Sequence, residues 1–390
     1  MVMFIENLIN SFLLRQLLLL GWFLVFCSRL FTEFKLNSIG INSNMPENSP
    51  FVSVIVPARN EEDHLEKCLF SLQQQDYPNI EFIIVDDCSI DKTRDIIQKY
   101  VKKDTRFKMI KLDQEKQNWV GKNWACYNGY LISTGKYLLF TDADTEHSTN
   151  SISTSISYLY RNKLDVLTLF PKLICQDFWS KIIMPFLISM IYIVYSPIRL
   201  NSKKDPIAYL IGGFILIKRT VYEQIGGHET VKRSFVEDKS LGEILKTSGF
   251  NIKILEAKNN LKSFSKIGFN HNFSAMQRAL SASLVTTNIL IAFPVIIFGF
   301  IALIIPYYLF FYDLYGFYSF NLIFSSLILF FMLSSYFFEF KNILHTNKIF
   351  VLFHPLSALI QLFALFYCTV KVALGYDFIW SDRKYKKFKM

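Results

Sequence analysis

The sequence of 390 residues is poor in metal-binding and disulfide-forming residues: it contains six cysteines and six histidines. No two cysteines form a Cys-x-x-Cys pair, and Cys27 and Cys368 lie inside long apolar segments. We therefore interpret the cysteines as small hydrophobic residues in a reducing compartment. The histidines form no cluster with ligand spacing, which argues against a zinc site.

The sequence also lacks the interleaved basic and aromatic residues of a nucleic-acid-binding module, although its formal net charge is +10. A membrane protein with a basic tail explains this charge better. Each lysine or arginine close to an anionic leaflet contributes roughly 1 kcal/mol of attraction. Five basic residues lie in the last eight: Arg383, Lys384, Lys386, Lys387 and Lys389. We expect a membrane surface, and no nucleic acid, as a partner.

Hydrophobic residues are abundant, at 52% of the chain, and are concentrated at both ends. Four segments approach or exceed the roughly 20 residues that a spanning helix needs: 12–31, 284–311, 317–338 and 349–374. The first is predicted to be an uncleaved anchor rather than a signal peptide, because no small-residue cleavage pattern follows it. Pro294, Pro306 and Pro355 are expected to kink the later helices. A further apolar segment, 182–198, contains Pro185 and Pro197 and is expected on the membrane surface or in the core.

These segments divide the chain into four predicted parts. They are a membrane anchor and linker over residues 1–50, a middle domain over 51–280, membrane helices over 281–376, and a basic tail over 377–390. The positive-inside rule places the middle domain and the tail in the cytoplasm. Three full crossings between them would leave the tail outside, so one of the three C-terminal segments is expected to be re-entrant.

The middle domain alternates strand and helix patterns. Strands are predicted at 53–56, 82–85, 107–112 and 137–141, with helices over 65–72, from Asp91 to Tyr100, and over 125–132. This alternation indicates an α/β fold with a mostly parallel sheet covered on both faces.

Acidic residues follow the ends of these strands, where ligands bind in such sheets. Asp86 and Asp87 follow one strand, and Asp142 and Asp144 follow another. Helix capping would explain some of these acids taken singly. It explains the last pair poorly, because two such close carboxylates repel each other without a cation. Mg²⁺ or Mn²⁺, which prefers oxygen ligands, would relieve that repulsion and neutralise a departing nucleotide.

An ordered set of motifs identifies the family that the chain resembles. They are PARNEE (57–62), VDDCSIDKT (85–93), GKNWACYNG (121–129), DAD (142–144), GGFILIKRTVYEQIGG (212–227) and VED (236–238). Together they resemble a family 2 glycosyltransferase with the GT-A nucleotide-diphospho-sugar fold, over roughly residues 51–264. With the membrane segments, the chain is most similar to the branch of carotenoid, hydroxychlorobactene and hopanoid-associated glucosyltransferases. Ceramide glucosyltransferases are more distant relatives.

This resemblance implies a UDP-sugar donor and assigns residues to it. Asp87, with Asp86 as an alternative, would hold the uracil or ribose, and Pro57 and Glu61 would line the base pocket. Asp142 would face the ribose and diphosphate. Asp144, with Asp142, would bind the Mg²⁺ or Mn²⁺ ion. Lys122 is either a phosphate contact or a solvated helix start.

The resemblance also assigns the catalytic acids. Asp238, with Glu237 beside it, would be the base that takes the proton from the acceptor hydroxyl, with inversion at the sugar. Both residues also suit the start of the predicted helix through Leu245, where acids favour the helix dipole. Gly212 and Gly213 either allow a close backbone approach or form a tight turn.

The sequence departs from many membrane relatives, because residues 263–284 contain Gln277 and Arg278 but no Gln/Arg-x-x-Arg-Trp motif. The resemblance therefore favours transfer of one sugar, glucose from UDP-glucose, to a membrane lipid such as a carotenoid or another polyisoprenoid-derived lipid. Two alternatives stay open. One is a processive polysaccharide synthase, and the other is a non-catalytic lipid-binding protein with this fold.

Overall fold

The computed structural model describes residues 11–35, 38–39, 49–286, 291–339, 347–376, 378–380 and 383–385. Of the basic tail, Arg383 and Lys384 lie in a described strand. Lys386, Lys387 and Lys389 lie outside the described residues.

The first eight elements of the N-terminal half are the anchor helix and the predicted alternation of strands and helices, and the four that follow were not predicted. They are α1 (Phe12–Lys35), β1 (Val52–Ala58), α2 (Leu65–Gln73), β2 (Ile80–Asp87), α3 (Thr93–Lys103), β3 (Phe107–Leu112), α4 (Gly121–Ile132), β4 (Tyr137–Phe140), β5 (Thr145–His147), α5 (Ser151–Arg161), β6 (Val166–Phe170) and β7 (Lys172–Ile174).

The described part of the second half contains five further strands among its helices. Its elements are α6 (Phe178–Val194), α7 (Pro197–Asn201), β8 (Ile215–Lys218), α8 (Arg219–Gln224), α9 (Gly227–Thr230), α10 (Glu237–Thr247), β9 (Ile252–Glu256), β10 (Leu261–Phe264), α11 (Phe269–Thr286), α12 (Ala292–Leu303), α13 (Ile305–Tyr315), α14 (Ser319–Glu339), α15 (His354–Ala373), β11 (Phe378–Trp380) and β12 (Arg383–Tyr385).

The main sheet has seven strands in the order β3-β2-β1-β4-β8-β6-β9. The first four are mutually parallel and β6 is parallel to β9, whereas β8 runs antiparallel to both of its neighbours. Apolar side chains are buried on both faces of this sheet, such as Val54 and Ile84 on one face and Ile55 and Ile83 on the other. The predicted α/β class with a mostly parallel sheet is confirmed.

The first strand extends beyond its predicted end at Val56, through Pro57 to Ala58. Strand β1 pairs with β4 only as far as Ile55 and Phe140, but it pairs with β2 as far as Ala58 and Asp86. Beyond Ile55 the strand therefore has a neighbour on one side only, where a residue without a backbone N–H is tolerated.

A second sheet of three strands, in the order β5-β10-β7, was not predicted. Each of its strands is only three or four residues long, too short to show an alternating pattern. Strand β5 begins directly after Asp144, and the backbone N–H of Phe264 donates to the carbonyl of Asp144 over 3.0 Å. The small sheet thus fixes the turn that carries the acidic pair.

Four helical segments are long and apolar enough to cross a membrane: Phe12–Thr32, Ala292–Tyr315, Ser319–Phe338 and Lys348–Ala373. The predicted segment 284–311 needs correction, because its first residues belong to α11 and the candidate span runs from Ala292 to Tyr315. Which segment is re-entrant, and which side each end faces, stay predictions.

The prolines act differently from the predicted kinks. Pro355 lies at the start of α15, and Pro294 lies in the first turn of α12. Proline fits there, because the first N–H groups of a helix have no partner inside it. Helix α12 ends before Ile304 and α13 begins after it, and Pro306 is the second residue of α13. Only this proline marks a break between two helices of one predicted span.

Segment 182–198 forms most of α6, which continues through Pro185 as a helix. Ile183 and Leu187 pack with Met276 of α11 and Ala364 of α15 in one buried cluster. The hydroxyl of Ser357 in α15 donates to the carbonyl of Ile182. Helix α6 therefore joins the half of the chain that contains the main sheet to the candidate spanning helices.

Candidate active site

A cavity of about 550 Å³ lies where the carboxyl ends of β1, β2 and β4 face α6 and α11. Six of the predicted site residues line it: Pro57, Glu61, Asp87, Lys122, Asp142 and Asp144. Asp86, Glu237 and Asp238 do not. The parallel strands therefore bring most of the predicted donor residues to one place.

Lys122 joins two groups of predicted residues. Its Nζ lies 2.8 Å from Oδ1 of Asp142 and 2.8 Å from Oε1 of Glu237. Burial opposes the charge on Lys122, but the two carboxylates outweigh it and hold the pKa of Lys122 well above its ordinary value. Helix α4 starts at Gly121, four residues before the predicted start, which places Lys122 in its first turn. Its side chain is only 24% exposed, so it is not a solvated helix start.

The acidic pair is partly buried. Burial and the negative charge of Asp142 raise the pKa of Asp144 to about 8. The backbone carbonyl of Asp142 accepts a hydrogen bond from the Thr145 hydroxyl over 2.7 Å, which stabilises the turn between the two acids. The self-repulsion expected from the sequence is thus present in the structure.

These acids offer part of a metal site. Among the described residues, no group of three or more histidine, cysteine, aspartate or glutamate side chains is placed to hold a metal ion. Two carboxylates fit Mg²⁺ or Mn²⁺ all the same, because such ions take a few protein oxygens and complete their shell with water and substrate phosphates. Asp144 and Asp142 would hold the ion, and Lys122 competes for one oxygen of Asp142.

The two acids that follow β2 have different surroundings. Asp86 is fully buried and accepts hydrogen bonds from Nε of Arg94 over 2.8 Å and from the backbone N–H of Ser89 over 3.0 Å. Asp87 lines the cavity. Asp86 therefore stabilises the loop after β2, and the geometry gives no support to it as the alternative donor ligand.

The predicted catalytic acids occupy the first turn of α10. Oδ2 of Asp238 accepts from the backbone N–H of Gly212 over 3.2 Å, and Oδ1 accepts from the N–H of Lys239 over 2.8 Å. Burial and the neighbouring charge of Glu237 raise the pKa of Asp238 to about 7, and Lys122 opposes that rise. A carboxylate with this pKa can accept a proton near neutral pH. Placement at a helix start and a role as base are therefore compatible.

Gly212 approaches this group closely. A Cβ at position 212 would lie 3.0 Å from Nζ of Lys122 and 3.3 Å from Oδ2 of Asp238. At Gly213 the nearest heavy atom, Cγ2 of Thr145, would be 3.8 Å away. Of the two explanations offered for Gly212 and Gly213, a close backbone approach applies to Gly212. The groups that it approaches are Lys122 and Asp238.

The sequence analysis missed the opposite wall of the cavity. Lys266, from the loop after β10, lies 3.0 Å from Oε1 of Glu61. Burial raises the pKa of Glu61, and Lys266 opposes the rise. Helix α11 contributes several more residues, which are His271, Asn272, Ser274, Ala275 and Arg278. Their helical spacing was the available signal, but no motif pointed to it.

Comparisons with known proteins agree with this architecture. Residues 53–226 match the model of Glycosyl transferase family 2. The chain is 28% identical over 200 residues to 4,4'-diaponeurosporenoate glycosyltransferase of Staphylococcus haemolyticus, covering 50% of this chain and 52% of that protein. It is 37% identical over 105 residues to GalNAc(5)-diNAcBac-PP-undecaprenol beta-1,3-glucosyltransferase of Campylobacter jejuni, covering 27% and 33%.

The match therefore spans about half, or less, of the length of these curated relatives. Among solved structures, the chain is similar to a mannosyltransferase from Pyrobaculum calidifontis in complex with GDP-Man and Mn²⁺. The TM-score is 0.54 at 15% identity, covering 92% of this chain and 98% of that one. At this identity the likeness shows the fold.

Proposed function

We propose, from the premise that residues 53–226 form a family 2 glycosyltransferase domain, that the chain transfers one sugar to a membrane lipid. The proposed donor is UDP-glucose and the acceptor a carotenoid or another polyisoprenoid-derived lipid, with inversion at the anomeric carbon. The domain would face the cytoplasm, as the distribution of basic residues favours.

One observation carries this proposal, namely the pair of 2.8 Å contacts that Lys122 makes with Asp142 and Glu237. Asp142 belongs to the group of residues proposed for the donor, and Glu237 adjoins the proposed base, Asp238. Lys122 occupies the space between these groups, so a sugar would lie beside its ammonium group, with the leaving diphosphate toward Asp142 and the base toward Glu237. Inverting transfer needs that arrangement, because the acceptor attacks opposite the leaving group.

The donor would occupy the wall formed by the strand ends. Pro57, Glu61 and Asp87 are proposed to hold the uridine. Asp142 and Asp144 would hold Mg²⁺ or Mn²⁺ at the diphosphate, and this ion would neutralise the charge of the leaving group when it is bound. The raised pKa of Asp144 supports this role, since burial and the neighbouring charge of Asp142 both disfavour its charged form and a bound cation would offset both.

Asp238 would act on the acceptor. Its carboxylate takes the proton from the acceptor hydroxyl while the hydroxyl oxygen forms a bond to the anomeric carbon. The bond from that carbon to the diphosphate breaks, and UDP leaves with the electron pair. Lys122 would stabilise the negative charge on the diphosphate side, since its ammonium group already lies against Asp142.

The lipid acceptor is supported by the other wall of the cavity. Leu173, Met184 and Ala275 give this wall an apolar part. Helices α6 and α11, which carry Met184 and Ala275, pack against α15, a candidate spanning helix. The two relatives above are named for diaponeurosporenoate and for an undecaprenol-linked saccharide, and both of these names denote polyisoprenoid lipids.

A transfer assay tests the proposal. Membranes that contain the chain receive labelled UDP-glucose with Mn²⁺ or Mg²⁺, and label is counted in the lipid extract. We expect one discrete labelled lipid that disappears in Asp144→Asn and in Asp238→Asn. Labelled polymer would instead identify a processive synthase. Absence of label with any of several nucleotide sugars and with supplied polyisoprenoid alcohols, both neutral and acidic, in a protein that still binds UDP, would contradict the proposal and favour a non-catalytic lipid-binding protein.

A further inference from the structure

One stripe of α11 faces the cavity. His271, Ser274, Ala275 and Arg278 line it, and their spacing of three, one and three residues places them on one side of a helix. Arg278 is the last of them, about 10 Å along the helix from His271 at 1.5 Å per residue. The helix continues toward the candidate span that begins at Ala292. Arg278 therefore lies at the end of the stripe closest in sequence to the membrane helices.

The other cations on the cavity wall already have partners. Lys122 lies against Asp142 and Glu237, and Lys266 lies against Glu61. Arg59 donates to the backbone carbonyl of Asp87 over 2.9 Å. Within the described part of the chain, Arg278 makes no hydrogen bond or ion pair.

The side chain of Arg278 is exposed on the cavity wall and lies beside apolar surface. Desolvation lowers the pKa of its guanidinium, and the negative charges of Glu61 and Asp144 oppose that change. Met184 and Leu173, from α6 and β7, contribute apolar surface to the same cavity. Its donors are therefore open to a ligand, and an anion would fit them in a fork of hydrogen bonds.

We infer that Arg278 binds the anionic head, a carboxylate or a phosphate, of the lipid acceptor, whose apolar chain lies against Met184 and Ala275. This inference rests on the proposed function and narrows its acceptor class to lipids that carry an acidic group in addition to the acceptor hydroxyl. A guanidinium presents a planar fork of hydrogen-bond donors. Because this fork matches both a carboxylate and a phosphate, Arg278 would recognise either anion by the same contacts.

The position of Arg278 favours the acceptor over the donor. The charges of Glu61 and Asp144, both assigned to the donor, act on Arg278 across the cavity, but the proposed diphosphate position already has Lys122 and two candidate metal ligands. Arg278 lies on α11, on the opposite wall. Its neighbour Met276 is buried against Ile183 and Ala364, among the helices that join the site to the candidate spans. A lipid head arriving from those helices would meet Arg278.

The test uses matched ligands and the purified full chain in neutral detergent. Retinoic acid and retinol have the same polyene chain, but the first ends in a carboxylate and the second in a hydroxyl. Farnesyl phosphate and farnesol, measured by competition, form the phosphate arm. We expect the acid of at least one pair to bind about tenfold or more tightly than its alcohol, since a hydrogen bond to a charged group has roughly that strength. The arm that shows the preference identifies the anion.

Variants assign the effect to the side chain. Arg278→Gln should remove the preference for the acid and leave UDP binding within about twofold, and Arg278→Lys should keep part of the preference. The matched control is Arg161→Gln, which alters an exposed arginine at the end of α5, away from the cavity wall. This control should bind all ligands as the unaltered chain does.

Two results would overturn the inference. One is equal binding of acid and alcohol in both arms. The other is a loss of UDP binding in Arg278→Gln with the preference for the acid intact, which would assign the guanidinium to the donor. Both can occur while sugar transfer to a lipid proceeds. Conversely, an Arg278-dependent preference without any sugar transfer would contradict the proposed function alone.

Discussion

Nζ of Lys122 and Oε1 of Glu237 lie 2.8 Å apart, although the two residues begin different helices on different parts of the chain. Glu237 is almost fully buried, at 5% side-chain exposure. A buried carboxylate needs a counterion, because desolvation disfavours its charged form. Lys122 supplies that charge, and the same ammonium group reaches Asp142. The donor wall and the proposed base are thereby electrostatically linked.

Removal of this ammonium group should change the pH dependence of sugar transfer. Lys122 holds down the pKa of Asp238, which is about 7 in its presence. In Lys122→Met the pKa of Asp238 should rise, so the fall in kcat/KM on acidification should begin at a higher pH than in the unaltered chain. At pH 7 the activity should drop by about 10²-fold or more, with partial recovery at pH 9, as expected when a transition-state contact is lost.

The measurement is kcat/KM against pH for both proteins. The control is Lys262→Met, which removes the lysine paired with Glu146 outside the cavity. If kcat/KM of Lys122→Met falls on acidification at the same pH as that of the unaltered chain, Lys122 does not affect the pKa of Asp238.

Asp238 should be required for transfer and yet reduce stability. Its folded-state pKa of about 7 is above the ordinary value of 3.8 for the unfolded chain, so the folded state binds the proton more tightly. The stability due to this group is present at acidic pH and is lost as the pH rises through about 7. At pH 8, Asp238→Asn should therefore abolish transfer while it raises the free energy of unfolding by about 1 kcal/mol or more.

Thermal unfolding of both proteins at pH 5 and pH 8, with transfer activity, tests this prediction. The difference in stability should be larger at pH 8. Glu243→Gln, on the same helix and exposed to solvent, is the control and should show no such pH dependence. If Asp238→Asn is less stable than the unaltered chain at pH 8, the charge of Asp238 does not reduce the stability of the folded state as we predict.

Gly212 and Gly213 should respond differently to alanine. In Gly212→Ala the new Cβ would lie 3.0 Å from Nζ of Lys122, which two ion pairs hold in place. The shift that this requires should lower kcat by about tenfold or more, since small misplacements at a reacting centre are costly. Gly213→Ala has room and is the matched control. Steady-state kinetics of both variants, with UDP binding to verify folding, decides the matter; equal activities would contradict the prediction.

The alternation of strands and helices was readable from the sequence because each buried strand forms a continuous apolar run, as in residues 82–85. That regularity also placed Asp87, Asp142 and Asp144 at one edge of the sheet, where the structure brings them together. The ion pairs of Lys122 were not readable, because they join residues from distant segments. Periodicity reports which face of an element is buried, but not which element covers it.

The sequence analysis missed other site residues for the same reason. Arg278 lies on a helix whose sequence carries no family motif, and it reaches the cavity only because α11 packs on α6. The distinction between Asp86 and Asp87 was equally hidden. It depends on Arg94, which is the second residue of the next helix and binds Asp86.

The ion pair between Arg15 and Asp313 should stabilise the membrane half of the chain. Nη2 of Arg15 in α1 lies 2.7 Å from Oδ1 of Asp313 in α13, and both side chains are almost fully buried. Arg15→Met should cost about 3–5 kcal/mol, because it leaves a buried carboxylate without this counterion. The double variant Arg15→Met with Asp313→Leu should recover most of that loss, because it leaves no unpaired charge. Thermal unfolding in detergent measures both effects, and a double variant as unstable as Arg15→Met would show that the charge pairing is not what matters.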